Sequence, residues 1–174
     1  MSDTPIIERH IISVLVDNEP GVLARVIGLF SGRGYNIESL TVAETDGANA
    51  LSRISVVTSG TPMVIEQIKA QLARLVPIHS VRDLTENDVA IERELALVKI
   101  INHGDDRIES LRIADTFRAR TLDSTLNSFV FEVTGNSSKV DAFVGLMRSL
   151  GDVEVARTGV SAISRGNRID LEAK

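Results

Sequence analysis

The chain contains no cysteine and no tryptophan, and its aromatic residues are one tyrosine and five phenylalanines among 174 positions. Without cysteine there are no disulfides, no thiolate nucleophile and no cysteine-ligated zinc. With so few rings, recognition by stacking is not expected. A basic surplus is missing too: net charge is −5, with 7 basic and 9 acidic groups in residues 1–84 and 12 and 15 in residues 85–174. Nucleic-acid partners need a basic face, so none is expected. No apolar run is long enough to span a bilayer, and residues 1–8 lack the basic-then-apolar pattern of a secretion signal. A cytoplasmic protein without a membrane partner is the expectation. In that compartment the glycosylation sequon Asn136-Ser137-Ser138 is a chance match.

A catalytic constellation is also missing. His10, His79 and His103 fall in different expected elements without metal-ligand spacing, and no Gly-x-Ser-x-Gly elbow occurs. Gly32-Arg33-Gly34 follows a helical run instead of opening one, and Ile37 stands where a dinucleotide fingerprint needs its third glycine. The 28–34 glycines lack the Lys-Ser/Thr of a phosphate loop. Asp105-Asp106 opens a helix, where acidic residues are stabilising without any acid–base role. No catalytic residue, metal site or cofactor is therefore assigned to this chain.

What is present is a repeated order of elements. Residues 9–16 read as a β-branched strand, and Val22, Leu23, Val26, Ile27, Leu29 and Phe30 recur at helical spacing. Residues 36–44 alternate as a strand, 45–49 make a hairpin turn and 50–58 return as a third strand. Thr61-Pro62 starts a helix with Ile65, Ile68, Leu72 and Leu75 on one face, Pro77 ends it, and 78–84 is a fourth strand. The order recurs after a polar linker at 85–92. It comprises a strand at 93–101, a helix from 103 with Ile108, Leu111 and Phe117 pointing inward, and strands at 119–124 and 128–134. A helix capped by Asn136 or Ser137 follows, with Val140, Phe143, Val144, Met147 and Leu150 on one stripe, then a last strand at 153–163. This predicts an α+β protein of two tandem ferredoxin-like βαββαβ domains, at 9–84 and 93–164, with a polar tail at 165–174.

The stretch from Asp17 to Leu40 has the most chemical content. Asn18-Glu19-Pro20-Gly21 is a turn in which Pro20 fixes φ and Gly21 bares the backbone where the helix begins. Such residues also build turns that bind nothing. Here, however, the first helical turn offers N–H groups without intrahelical partners and the positive end of the macrodipole. A ferredoxin-like sheet in the order 4-1-3-2 leaves the second strand, which begins near Asn36, at the edge. Pairing two such edges sets Asn36 of one subunit near the helix end of the other. A small zwitterion suits that gap. Its carboxylate gains about 0.3–1 kcal/mol, or up to ~2 when partly buried, from the helix end. Its ammonium finds amide oxygen on Asn18 and Asn36. An aliphatic side chain buried against Val22, Leu23 and Ile37 adds about 1.5–3 kcal/mol.

The run Ser13-Val14-Leu15-Val16-Asp17-Asn18-Glu19-Pro20-Gly21-Val22-Leu23-Ala24-Arg25-Val26, with Arg33-Gly34-Tyr35-Asn36-Ile37-Glu38-Ser39-Leu40, resembles the ACT domain of the small regulatory subunits of acetolactate synthase. Glu92-Arg93-Glu94-Leu95-Ala96-Leu97-Val98-Lys99, Lys139-Val140-Asp141-Ala142-Phe143 and Glu154-Val155-Ala156-Arg157-Thr158-Gly159 through Ser164-Arg165-Gly166 resemble that family's second half. The resemblance implies a homodimer through ACT domains and a non-catalytic chain that binds and activates a large catalytic subunit. That partner holds thiamine diphosphate, magnesium and FAD. It also implies feedback inhibition by valine, sometimes also by leucine or isoleucine, at a site on Asn18, Gly21, Val22, Leu23, Asn36 and Ile37, with the second domain helping to transmit the signal. The rival expectations are a free-standing ACT-type amino-acid sensor acting on another partner and a small enzyme using the sheet as a platform.

Overall fold

The computed structural model describes residues 6–46, 50–86 and 90–167. The first βαββαβ set is β1 (Glu8–Asp17), α1 (Val22–Arg33), β2 (Ser39–Asp46), β3 (Leu51–Gly60), α2 (Pro62–Leu72) and β4 (Ile78–Asp83). The strands lie in the order β2-β3-β1-β4, all antiparallel, so β2 occupies an outer edge. β1 is central, and its β-branched run is buried on both faces. Ile12, Val14 and Val16 share a core with Val22, Val26 and Phe30 of α1 and Ile65, Ile68 and Leu72 of α2. The i, i+4, i+8 spacing of the α1 trio and the i, i+3, i+7 spacing of the α2 trio are what turn one stripe of each helix onto the sheet.

Local signals fix the helix ends. The Thr61 hydroxyl accepts from the Val64 amide with Pro62 in the first turn, and the Asn136 side chain accepts from the Lys139 amide. α1 ends on Gly34, whose φ of 71° lets its amide turn back onto the Phe30 and Ser31 carbonyls. The second strand begins three residues later than expected, at Ser39. Of the expected hairpin turn at 45–49, residues 45 and 46 instead end the second strand, and of the expected linker at 85–92, residues 90–92 instead begin the next strand; 47–49 and 87–89 lie outside the described residues, as do most of the N-terminal extension and the polar tail.

The second set is β5 (Ala90–Ile101), α3 (Gly104–Phe117), β6 (Arg120–Ser124), β7 (Ser128–Gly135), α4 (Ser137–Arg148) and β8 (Asp152–Arg157), in the sheet order β6-β7-β5-β8. Ala96, Val98 and Ile100 of β5, Phe129, Phe131 and Val133 of β7, and the whole expected α4 stripe except half-buried Leu150 form its core. Phe143 meets Phe131 edge-on at 6.1 Å and Phe117 at 5.4 Å. Glu94 is buried and pairs with Arg157. Its two hydrogen bonds raise the Arg157 pKa, and a third bond from Arg157 reaches Asp141 at 2.6 Å.

Two expectations are corrected here. Ile108 and Leu111 do not point inward; they are 61% and 41% exposed, and α3 buries Ser110 and Ala114 instead. The reason is polar: buried Asn102 donates to Ser110 Oγ at 2.6 Å and to the Asp106 carbonyl at 3.1 Å, which turns the small-residue face of α3 inward. The single last strand expected at 153–163 is two strands. Gly159 adopts φ 86° and breaks it, leaving β8 and a separate β9 (Ser161–Ser164), which pairs with β5.

The chain forms two compact units. One ends at Ile91 and resumes at Val160; the other is Glu92–Gly159. Residues 160–164, placed with the second domain by the sequence pattern, thus pack in the first. Val160 and Ala162 join Ile11, Val57 and Leu84 in a small cluster of their own. The physical cause is the odd-numbered apolar face of β1 and β3, which the helices do not cover.

Gly151 follows α4 at a point where an added Cβ would press on the Ile101 carbonyl oxygen and lie 3.0 Å from Asn102 Cβ. Gly151→Ala should lower stability by about 1–3 kcal/mol, read as a drop in the urea midpoint at unchanged slope.

Candidate functional site

The turn after β1 is tied down on both sides. The Asp17 amide donates to the Pro77 carbonyl at 2.9 Å, the Asn18 amide donates to the Ala50 carbonyl at 2.6 Å, and an Asp17 carboxylate oxygen pairs with His79 Nε2 at 2.6 Å. Gly21 is the N-cap residue of α1 at φ 87°, a left-handed conformation in which glycine is unstrained. It offers no side-chain cap, and no acidic residue stands in the first turn. The Val22 amide makes a long 3.4 Å contact to the Glu19 carbonyl and the Arg25 amide donates to the Gly21 carbonyl at 3.1 Å. Among the described residues the Leu23 and Ala24 amides have no acceptor. The helix end therefore presents uncompensated positive dipole beside an open backbone, since nothing lies within 4 Å of the Gly21 Cβ direction.

The six sequence-selected residues fall into two groups. Asn18 and Gly21 are exposed, Leu23 is 37% exposed, and Val22 is buried at 4%, so Val22 can give a ligand its amide but not its side chain. Asn36 is exposed, and Ile37 is half-buried against the α1 and α2 core. One chain does not bring the groups together. Asp17 and Asp46 both register on Leu51, whereas Ser39 registers on Val57 and Arg9 on Ser59. Asn18–Leu23 thus sits at one end of the sheet and Asn36–Ile37 at the other, about 20 Å apart along β3 at the usual strand rise.

Between them runs the outer edge of β2. Among the described residues it pairs with β3 alone, Val42 is 44% exposed, and no lysine or proline blunts it. An antiparallel second copy added at this edge carries its own Asn36 to the Gly21 end, because antiparallel pairing reverses the strand.

Thr58 is a residue that the sequence reading missed. Its fully buried hydroxyl donates to the Asn36 carbonyl at 2.6 Å, and the Glu38 amide donates to the Val57 carbonyl at 2.8 Å. Together they pin the lip on which Asn36 and Ile37 stand. A threonine inside a β-branched strand gives no signal of its own. His10 pairs through Nδ1 with buried Asp83 at 2.6 Å and His103 is the N-cap residue of α3, so the three histidines occupy separate places. Among the described residues no three His, Asp or Glu side chains gather as a metal site.

The family models place these observations in context. Residues 12–80 match the ACT domain of acetohydroxyacid synthase small subunits, and 93–166 match a second model described as the small subunit of acetolactate synthase. The small subunit of acetolactate synthase isozyme 3 of Escherichia coli is 48% identical over 162 residues, 92% of this chain and 98% of that one. The chain belongs to the acetolactate synthase small-subunit family. The Haemophilus influenzae small subunit is 43% identical over 161 residues, again 92% of this chain and 98% of its own. The crystal structure of the Thermotoga maritima small subunit superposes with a TM-score of 0.82 at 36% identity, covering 92% of this chain and 99% of that one. The small-subunit fold thus extends over both βαββαβ sets, and the Gly21 turn, Asn36 and Thr58 all lie within the ACT match.

Thr58→Val keeps the shape and removes the donor to the Asn36 carbonyl. It should cost about 1 kcal/mol in chemical denaturation and speed amide exchange in residues 36–38.

Proposed function

We propose that the chain is the regulatory subunit of an acetolactate synthase: it binds and activates the catalytic large subunit and makes that enzyme sensitive to valine. It has no catalytic residue of its own in this reading, and thiamine diphosphate, magnesium and FAD belong to the catalytic partner. The observation that carries the proposal is the division of the site residues between opposite ends of one sheet whose connecting edge is free. A homodimer through β2 completes two equivalent sites, each with the Gly21 helix end of one subunit and Asn36 of the other.

The ligand chemistry follows from the parts. The carboxylate of the amino acid accepts from the Leu23 and Ala24 amides, reached over Gly21. The ammonium donates to the side-chain oxygens of Asn18 and Asn36. The aliphatic side chain lies on Leu23 and Ile37, where full burial contributes about 1.5–3 kcal/mol. Feedback inhibition requires valine to bind one arrangement of the subunits more tightly than another, and a difference of about 1–3 kcal/mol changes the equilibrium five- to 150-fold. A bridging ligand meets that requirement because its affinity depends on the relation between two chains.

Gly21→Asp tests the site. Aspartate tolerates the left-handed conformation better than most residues, and open space surrounds the position. The variant should fold and still raise the activity of the large subunit, while its carboxylate occupies the place of the ligand's and abolishes valine inhibition. Acetolactate formation by the reconstituted enzyme, with and without valine, reads both. Normal inhibition would overturn the site. Failure of the unaltered chain to affect any large subunit would favour a free-standing sensor.

A further inference from the structure

Val160 is held by its backbone on both sides. Its amide donates to Ser39 Oγ at 2.7 Å and its carbonyl accepts from the Thr41 hydroxyl at 3.0 Å. Both hydroxyls belong to β2, two residues apart and so on one face, and they serve a residue that is itself outside any strand. Val160 is 2% exposed, and its side chain packs with Ile11, Val57 and Leu84. Two buried backbone groups would lose their partners if the hydroxyls were removed.

The residues just before it repeat the arrangement elsewhere. The Thr158 amide donates to the Leu95 carbonyl at 3.0 Å, and the Leu95 amide donates to Thr158 Oγ1 at 3.1 Å. Only Gly159, at φ 86°, separates the two anchored residues. β2 thus grips the chain at the residue immediately after Gly159.

We propose that Ser39 and Thr41 form a latch on Val160, through which the position of effector strand β2 is passed to the chain at Gly159. The proposal rests on the effector reading given above. It makes Ser39 and Thr41 positioning residues: neither is among the groups assigned to the ligand. Any shift of β2 that accompanies completion of the site at Asn36 and Ile37 displaces the Val160 backbone with it, because both of its hydrogen bonds end on that strand.

The test uses full-length chains and the reconstituted enzyme. Thr41→Val keeps the β-branched shape and deletes the donor; Ser39→Ala deletes the acceptor. In the double variant, calorimetry should give a valine Kd within about threefold of the unaltered chain, and activation should persist. Activity remaining at saturating valine should rise by about fivefold or more. Thr41→Ser, which restores the donor, should recover part of the inhibition when set in the Ser39→Ala background. Inhibition of the double variant equal in extent and concentration dependence to the unaltered enzyme would overturn the latch. A second measurement needs no variant: in the unaltered chain, valine should slow hydrogen exchange at the Val160 amide by about tenfold, and an unchanged rate would overturn the latch. If the unaltered chain bound no valine by calorimetry, the effector site would fall, and the latch with it.

Discussion

α1 begins on a glycine in the left-handed conformation, with no side chain capping it and no acid in its first turn. Dipole and bare amides therefore face outward unanswered, an arrangement that costs stability unless water or a ligand answers it. The surroundings are built to keep that helix end in place. The preceding turn is hydrogen-bonded to both flanking loops, at Ala50 and Pro77, and Val22, Val26 and Phe30 fix the helix to β1. That helix end is the physical basis of the effector site proposed above.

The second βαββαβ set shows the same topology with acid at that helix end. α3 also starts after a central strand, but Asp105 and Asp106 stand in its first turn, and Asn102 is folded inward onto Ser110 and the Asp106 carbonyl. Acid at a helix start repels a carboxylate and stabilises the helix by itself. Within one chain, then, neither helix start has a side-chain cap, but one carries no acid in its first turn and the other carries two. Equal element order does not imply equal chemistry.

The antiparallel register of the first sheet decides how the open helix end can be used. Because β2, β3 and β1 alternate in direction, the loop before β2 and the turn after β1 are separated by most of the length of β3. A ligand touching both needs a second polypeptide, and the free edge of β2 supplies the geometry for one. Thr58, Ser39 and Thr41 then matter as the hydroxyls that hold the two ends of that strand's first half.

Much of this was legible in the residues themselves. Period-3.6 and period-2 patterns marked both sets of elements, Thr61-Pro62 and Asn136 marked helix starts, and the Asn18–Gly21 turn marked the helix end with exposed backbone. These are local effects, set by sterics and by hydrogen bonds a few residues apart. What the pattern missed was non-local. Ile108 and Leu111 looked like a core stripe, yet a buried asparagine outside the helix determines which face turns inward. Residues 160–163 continued the alternation of β8, yet one left-handed glycine interrupts the run, and two hydroxyls more than a hundred residues earlier hold Val160, which with Ala162 packs against Ile11 and Val57. Composition and periodicity determined the elements, their order and the chemistry available at one helix start. Only the tertiary structure decided which face of α3 is buried and where Val160 and Ala162 pack, because those depend on polar groups finding partners far along the chain.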